Sequence, residues 1–85
     1  MALRTAANTL DLRGMRVHEA LAIADKALDD ALRASEEALF VIHGHGTGAL
    51  RAAIREHLAG HTLVERFEPG APREGGDGVT VVFLK

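Results

Sequence analysis

Residues 38–59 read ALFVIHGHGTGALRAAIREHLA, and this stretch decides the fold. Its first five residues are continuously apolar, which is typical of an inner strand that is covered on both sides. Glycines then alternate with other residues through positions 44–48, a pattern that predicts a tight turn. Apolar residues recur at helical spacing up to Leu58, and Gly60 stands where a left-handed cap would end a helix. The stretch therefore predicts a strand, a glycine turn and a helix.

The segments on either side supply the remaining elements. Residues 9–13 alternate between apolar and charged side chains, which predicts a half-buried strand that Gly14 ends. Residues 1–8 show no clear period and are interpreted as a linker or lead-in. The other predicted elements are an amphipathic helix of about 17 residues beginning near residue 17, a strand over 62–67, a loop over 69–78 and a strand over 79–84.

The order of these elements indicates one α/β domain over residues 9–85. Helices that connect strands imply right-handed parallel crossovers, whereas the last two strands are joined by a loop and can pair antiparallel. We therefore expect a two-layer sandwich in which a mixed four-stranded sheet packs against two helices, in the order strand-helix-strand-helix-strand-strand.

Composition limits the classes of protein to consider. The chain of 85 residues can build one domain with a modest core, and the lack of cysteine excludes disulfides and thiolate metal sites. No apolar run reaches the roughly 20 residues that span a bilayer, so we expect a cytoplasmic protein with no membrane partner. The formal net charge of −2 argues against holding nucleic acid by bulk charge, so such binding would need a local cationic patch.

The glycine turn is a candidate anion site. Gly44, Gly46 and Gly48 can adopt positive φ and expose N–H groups beside the N-terminus of the next helix. A phosphate is the natural ligand, and Arg51 is placed one helical turn away. The alternative is a turn that needs glycine for its geometry alone. A nucleotide P-loop is excluded because no lysine follows the glycines, and the chain is too short for a complete dinucleotide-binding fold.

Several side chains near the turn are candidates for chemistry. His43 ends a buried strand and can exchange a proton near neutral pH. If the first two strands are neighbours, Asp11 and Arg13 reach the same edge, where Asp11 could orient His43 or hold a cation and Arg13 could stabilise charge on phosphorus. The alternatives are a hydrogen-bonded histidine at the core edge and a solvent-facing ion pair. His45 could share a metal with His43, but two histidines without a third ligand are a weak zinc motif.

The remaining titratable residues are interpreted without a functional role. His18, His57 and His61 are expected at the surface or in helix packing. The acidic residues are expected to form a solvated face: Asp25, Asp29, Asp30, Glu36 and Glu37.

Two motifs together resemble one family. Residues 10–14 (LDLRG) and 43–51 (HGHGTGALR) are similar to the Smr (small MutS-related) domain, whose motifs are D-L-R or D-L-H and H-G-x-G-x-G-x-L. Residues 74–82 resemble the end of bacterial MutS paralogues that suppress recombination. The resemblance covers residues 9–85.

The resemblance implies a fold like the C-terminal domain of bacterial translation initiation factor three. It implies endonuclease activity, often nicking, on branched or other DNA and in some members on RNA, and the parent paralogues are also linked to stalled ribosomes. Close relatives often have lysine where His45 stands, so this loop carries one permanent positive charge fewer. The family's functional positions correspond to Asp11, Arg13, His43, Gly44, Gly46 and Gly48.

We therefore expect a DNA endonuclease domain of a MutS paralogue, aided by Mg²⁺ or Mn²⁺ and by no organic cofactor. Its partners would be DNA and, as a further possibility, ribosomal RNA or the ribosome, while the rest of a longer parent chain would supply ATPase and dimerisation functions. Two alternatives stay open: a module that binds branched DNA or structured RNA without cleaving it, and a protein-docking domain. The predicted catalytic residues are Asp11, Arg13 and His43, and the predicted phosphate-binding residues are Gly44, His45, Gly46, Thr47, Gly48 and Arg51.

Overall fold

The computed structural model describes residues 3–85. Within them the strands and helices follow the order expected from the sequence. None of the helices in this part of the chain is long and apolar enough to cross a membrane. The elements are β1 (Thr9–Asp11), α1 (Val17–Arg33), β2 (Ala38–Ile42), α2 (Ala49–Leu58), β3 (Val64–Pro69) and β4 (Val79–Leu84).

The four strands form one mixed sheet in the order β1-β2-β4-β3. β1 and β2 are parallel, with Asp11 opposite Ile42. β4 lies between β2 and β3 and is antiparallel to both. Each helix therefore connects two parallel strands, and both helices pack on the same face of the sheet. The expected α/β two-layer sandwich is confirmed.

Alternation along the strands divides the buried residues into two clusters. Leu39 and Val41 of β2 face the helices and pack with Leu28 of α1 and Ile54 of α2. Phe40, which lies between them in sequence, points to the opposite face and packs with residues of β4 in a smaller cluster. Both faces of β2 are thus covered, which is what its continuous apolar run predicts.

Three strand boundaries differ from the sequence prediction, and one of them is the end of β3, which lies at Pro69 rather than at residue 67. β1 ends at Asp11 rather than at residue 13, because the Asp11 carboxylate accepts a hydrogen bond of 3.0 Å from the Arg13 backbone N–H and turns the chain. β3 begins at Val64 rather than at residue 62, because the Val64 N–H donates to the His61 carbonyl in the turn that follows α2.

The segment before β1 is partly folded onto the domain. Ala6–Asn8 form a 3-10 turn, and the buried Asn8 amide donates to the Leu3 carbonyl at 2.8 Å. Met1 and Ala2, which also fall in the predicted linker, lie outside the described residues. The interpretation of residues 1–8 as a lead-in from a longer parent stays a prediction.

Candidate phosphate-binding site

The glycine loop, residues 43–48, connects the carboxyl end of β2 to the first residue of α2. Gly44, Gly46 and Gly48 have φ values of +78°, +40° and +84°, a region that side-chain-bearing residues rarely adopt. Gly48 is also the N-cap residue of α2. The alternating glycines therefore serve the backbone path of a turn that leads directly into a helix.

The N–H groups of this loop fall into two sets. The first and last glycines donate to backbone carbonyls, at 2.9 Å and 3.1 Å respectively. Three N–H groups between them have no hydrogen-bond partner within residues 3–85, and they belong to His45, Gly46 and Thr47. Because they stand at the N-terminus of α2, where the helix dipole favours negative charge, these donors are suited to an anion.

A cleft of about 170 Å³ opens beside these donors. We call it the loop cleft. It is lined by the glycine loop, by Gly14 and Met15 after β1, and by Leu50 and Arg51 of α2. The loop cleft therefore lies where two parallel strands end, which is the usual ligand position in open α/β sheets.

Arg13 lies against the glycine loop, since a Cβ atom added to Gly44 would be 3.3 Å from Arg13 Cγ. Its Nε and Nη2 donate to the Asp11 carboxylate, with Nη2 2.7 Å from Oδ2. These hydrogen bonds from Arg13 lower the pKa of Asp11 to about 2. Both side chains are exposed. The pair thus presents a cation to solvent with an ionised carboxylate bound to it.

His43 is 6% exposed and uses both ring nitrogens inside the protein. Nδ1 is 3.0 Å from the Gly44 carbonyl, which can only accept, so Nδ1 carries the proton and donates. Nε2 is then an acceptor and receives the Thr80 hydroxyl at 2.8 Å. Burial lowers the pKa of His43, and the positive charges of Arg55 and Arg51 act in the same direction. His43 is therefore a neutral ring that ties the loop to β4.

The structure separates two residues that the sequence analysis places together. Because Asp11 pairs with Ile42 in a parallel register, its side chain shares the sheet face of Ile42, whereas the adjacent His43 faces the helices. Both Asp11 oxygens accept hydrogen bonds from Arg13. The expectation that Asp11 orients His43 is therefore wrong, although Arg13 does come to the glycine loop.

A hydrogen-bonded chain that the sequence analysis does not single out continues from His43. Thr80, which is fully buried, accepts from Arg55 Nε at 2.9 Å. Arg55 Nη1 donates to Asp77 at 3.0 Å, and Arg51 Nη1 lies 3.1 Å from the other Asp77 oxygen. One feature of the sequence could have indicated this chain of hydrogen bonds: Thr80 is a hydroxyl residue inside the otherwise apolar strand β4.

A second polar cluster lies at the opposite end of α2. Nε2 of His57 and Nε2 of His61 are 2.7 Å and 3.1 Å from the same Asp25 oxygen. The sequence analysis interprets the two histidines as surface or helix-packing residues and Asp25 as part of a solvated face. In the structure the three side chains connect α1 to α2 and to the turn after it. Their ligand atoms all lie within 4.8 Å of one another, so the group could hold a metal ion.

The hydrogen bonds of this cluster fit a hydrogen-bond network around Asp25 better than a metal centre. The Leu63 N–H donates to His61 Nδ1 at 3.1 Å. In a neutral ring the proton then sits on Nε2 and points to Asp25, whereas a nitrogen that ligates a metal must be unprotonated. Two imidazoles also suit zinc or copper rather than Mg²⁺.

The glycine loop itself does not fit the expected Mg²⁺ or Mn²⁺ site. Among residues 3–85 no carboxylate lines the loop cleft. The two nearby carboxylates, Asp11 and Asp77, are both paired with arginine. Hard cations need several oxygen ligands, and the loop offers backbone donors instead.

Comparison with known proteins agrees with this geometry. Residues 10–85 match the family model described as Smr domain. The chain is 50% identical over 76 residues to "Endonuclease MutS2" of Staphylococcus carnosus, an alignment that covers 89% of this chain and 10% of that protein. The crystal structure of the Smr domain of Thermus thermophilus MutS2 matches with a TM-score of 0.90 and 50% identity, covering 92% of this chain and 98% of that one.

A more distant likeness concerns the fold alone. YdaL of Escherichia coli, a stand-alone small MutS-related protein, matches with a TM-score of 0.89 at 22% identity, covering 95% of this chain and 66% of that one. This chain spans about a tenth of the length of the curated MutS2 relatives. On its family match and its likeness to the MutS2 relatives, the chain belongs to the Smr domain family.

Proposed function

We propose that this Smr domain binds the phosphodiester backbone of DNA at the glycine loop and contributes to its endonucleolytic cleavage. The observation that carries the binding step is the set of three unpaired loop N–H groups beside Arg13. The cleavage step is supported by the MutS2 relatives, which are named endonucleases.

In this proposal, phosphate oxygens accept hydrogen bonds from the N–H groups of His45, Gly46 and Thr47. Arg13 adds a charged donor. Asp11 binds Nε and Nη2 of that guanidinium and leaves Nη1 free to meet a phosphate oxygen. A cation fixed in this way stabilises the extra negative charge that develops on phosphorus as the ester bond breaks.

His43 has a different role in the proposal from the one that its sequence position predicts. A general base needs a lone pair within reach of the proton that it abstracts. The lone pair of Nε2 receives the Thr80 hydroxyl, and Nδ1–H is committed to the Gly44 carbonyl. We therefore assign His43 to holding the loop in its anion-binding shape, one step removed from the phosphate.

Nicking of supercoiled plasmid, with and without Mg²⁺ or Mn²⁺, tests the cleavage step. Arg13→Gln should lower the nicking rate by about tenfold or more, because charge stabilisation in the transition state is lost. Asp11→Asn should also lower it by about tenfold, because the Arg13 guanidinium is no longer held in place by a carboxylate. His18→Gln changes an exposed histidine that does not line the loop cleft and is the control. Equal rates in all four proteins would defeat the assignment of Asp11 and Arg13.

The second candidate function is binding without chemistry. It is favoured by the internal hydrogen bonds that occupy both Asp11 oxygens and both His43 nitrogens. Salt-dependent DNA binding by the wild type, with no nicking under either metal, would support this candidate over the first.

The wider setting is part of the same proposal. We propose that the domain works within a longer, MutS2-like parent chain, since the curated relatives are about ten times its length. ATPase and dimerisation functions in the rest of that chain, a cytoplasmic location and suppression of recombination belong to this proposal. Ribosomal RNA is the alternative substrate. Competition between a branched DNA and a structured RNA of equal length for the same labelled probe would rank the two.

A further inference from the structure

Arg51 and Arg55 share Asp77, but they are held very differently. All three guanidinium nitrogens of Arg55 donate hydrogen bonds: Nε to the Thr80 hydroxyl, Nη1 to Asp77 and Nη2 to the Val79 carbonyl. Nη1 of Arg51 forms an ion pair with Asp77, whose Oδ2 is 3.1 Å away. Within residues 3–85 the Arg51 guanidinium makes no hydrogen bond with good geometry. Arg55 is therefore fixed by several contacts, whereas Arg51 is held by its ion pair with Asp77.

The guanidinium of Arg51 also lies at the loop cleft. Arg51 is one of the residues that line it. Its Nη2 would be 2.8 Å from a Cβ atom added to Gly48, so the charge sits directly over the glycine loop. A phosphate bound to the loop N–H groups would contact this guanidinium. Without phosphate, the counter-ion of Arg51 is the Asp77 carboxylate.

We propose that Asp77 competes with nucleic-acid phosphate for Arg51 and thereby sets the affinity of the loop cleft. This inference rests on the proposed function of the loop. When phosphate binds, Arg51 exchanges the carboxylate for a phosphate oxygen. The exchange costs little free energy, because Asp77 keeps its hydrogen bond to Arg55 and is never left unpaired.

The test is anisotropy titration of a labelled 20-base-pair DNA duplex at several salt concentrations with wild type and Asp77→Asn. The asparagine oxygen can still accept from Arg55, so the network to His43 is kept. The variant should bind about threefold tighter, which is the scale of one exposed ion pair. The slope of log affinity against log salt should stay close to that of the wild type, because Arg51 contacts phosphate in both proteins and the number of phosphates neutralised is the same.

Asp29→Asn is the matched control. Asp29 also pairs with an arginine at 3.1 Å and is similarly exposed, but it lies on α1 with Arg33. It makes the same change in net charge and should leave the affinity within about twofold and the slope unchanged. Adding Arg51→Gln to Asp77→Asn should remove the gain. Asp77→Ser, which also removes the charge, replaces the asparagine variant if the latter melts at a lower temperature than wild type.

The outcomes separate this inference from the proposed function. If the wild type binds DNA but Asp77→Asn matches Asp29→Asn, or binds more weakly than wild type, Asp77 is not a competitor and the inference is wrong. If neither the wild type nor Asp77→Asn binds the duplex at low salt, the proposed function fails and takes the inference with it.

Discussion

His43 shows that the chemistry of a side chain depends on what its two ring nitrogens face. Its position at the carboxyl end of β2 favours a proton-transfer role, as in many α/β enzymes. The Gly44 carbonyl and the Thr80 hydroxyl fix one neutral tautomer and leave neither nitrogen free. The histidine of the family motif is then better explained as the group that joins the loop to β4.

Acid should destabilise the protein through this ring. Burial lowers the pKa of His43 in the folded state, so the unfolded chain takes up the proton first as pH falls below about 6.5. Stability is therefore lost from that pH down to the folded pKa, and the loss does not grow below it. Urea unfolding of wild type and His43→Gln between pH 7.5 and about 5 should show a smaller pH dependence in the variant.

The control for this experiment is His18→Gln, which alters an exposed histidine. The pH range also avoids the carboxylates, since the pKa values of Asp11, Asp25 and Asp77 are all lowered from an already acidic value. If His43→Gln keeps the full pH dependence of the wild type, the ring is not the group that titrates.

Gly44 and Gly60 offer a matched pair of substitutions. Both have φ of +78°, so alanine at either position should cost about 1 kcal/mol of unfolding free energy. A new Cβ at Gly44 meets Arg13 at 3.3 Å, whereas nothing lies within 4 Å at Gly60. We expect both variants to be destabilised alike in urea titrations, while DNA binding weakens only in Gly44→Ala. Equal DNA affinity in the two variants would mean that the glycine loop does not contact DNA.

At the scale of elements, local sequence predicts most of the fold. The 17-residue helix α1 has the expected length, because its apolar face keeps one helical period from beginning to end. Strand ends are less predictable, since they depend on single contacts. The carboxylate of Asp11 ends β1, and the turn bonded at His61 delays β3. Neither contact leaves a periodic pattern in the sequence.

The Asp25 cluster should stabilise the packing of α1 against α2. The hydrogen bonds from His57 and His61 outweigh the effect of burial and lower the pKa of Asp25, so the carboxylate is ionised at neutral pH. Asp25→Asn should cost about 0.5–1 kcal/mol, which is less than a buried hydrogen bond to a charged group is worth, because the site is half exposed. Thermal or urea unfolding at pH 7 measures it.

Asp30→Asn is the comparison for this substitution. Asp30 pairs with Lys26 within α1 and is exposed, so its loss should change stability by less than about 0.5 kcal/mol. An equal cost in the two variants would mean that Asp25 adds nothing between the helices.

At the scale of the whole molecule, the candidate site was only half predictable. Parallel β1 and β2 follow from the helix between them, so Arg13 was expected beside the glycine loop. The face on which Asp11 lies depends on register, and a shift of one residue would move it to the side of His43. The bonds from His43 to Thr80 and from Arg55 to Asp77 join residues far apart in sequence, which no local motif encodes.

The distribution of charge predicts how the affinity for DNA depends on salt. The net charge of −2 gives the molecule no bulk positive charge with which to hold DNA. Arg33 is paired with Asp29 on α1, away from the loop, whereas Arg13 and Arg51 lie against the glycine loop, where we propose that phosphate binds. Because the proposal gives phosphate contacts to these two arginines, wild-type affinity should fall with salt along a slope of only about −1 to −2.

Substitutions of an arginine beside the glycine loop and of an arginine on α1 test this prediction in the same titration. Arg13→Gln should weaken binding and flatten the slope, because a direct phosphate contact is lost. Arg33→Gln removes the same charge from α1 and should change neither quantity measurably. A wild-type slope steeper than about −5 would require many phosphate contacts spread over the surface, and a binding site confined to the glycine loop could not supply them.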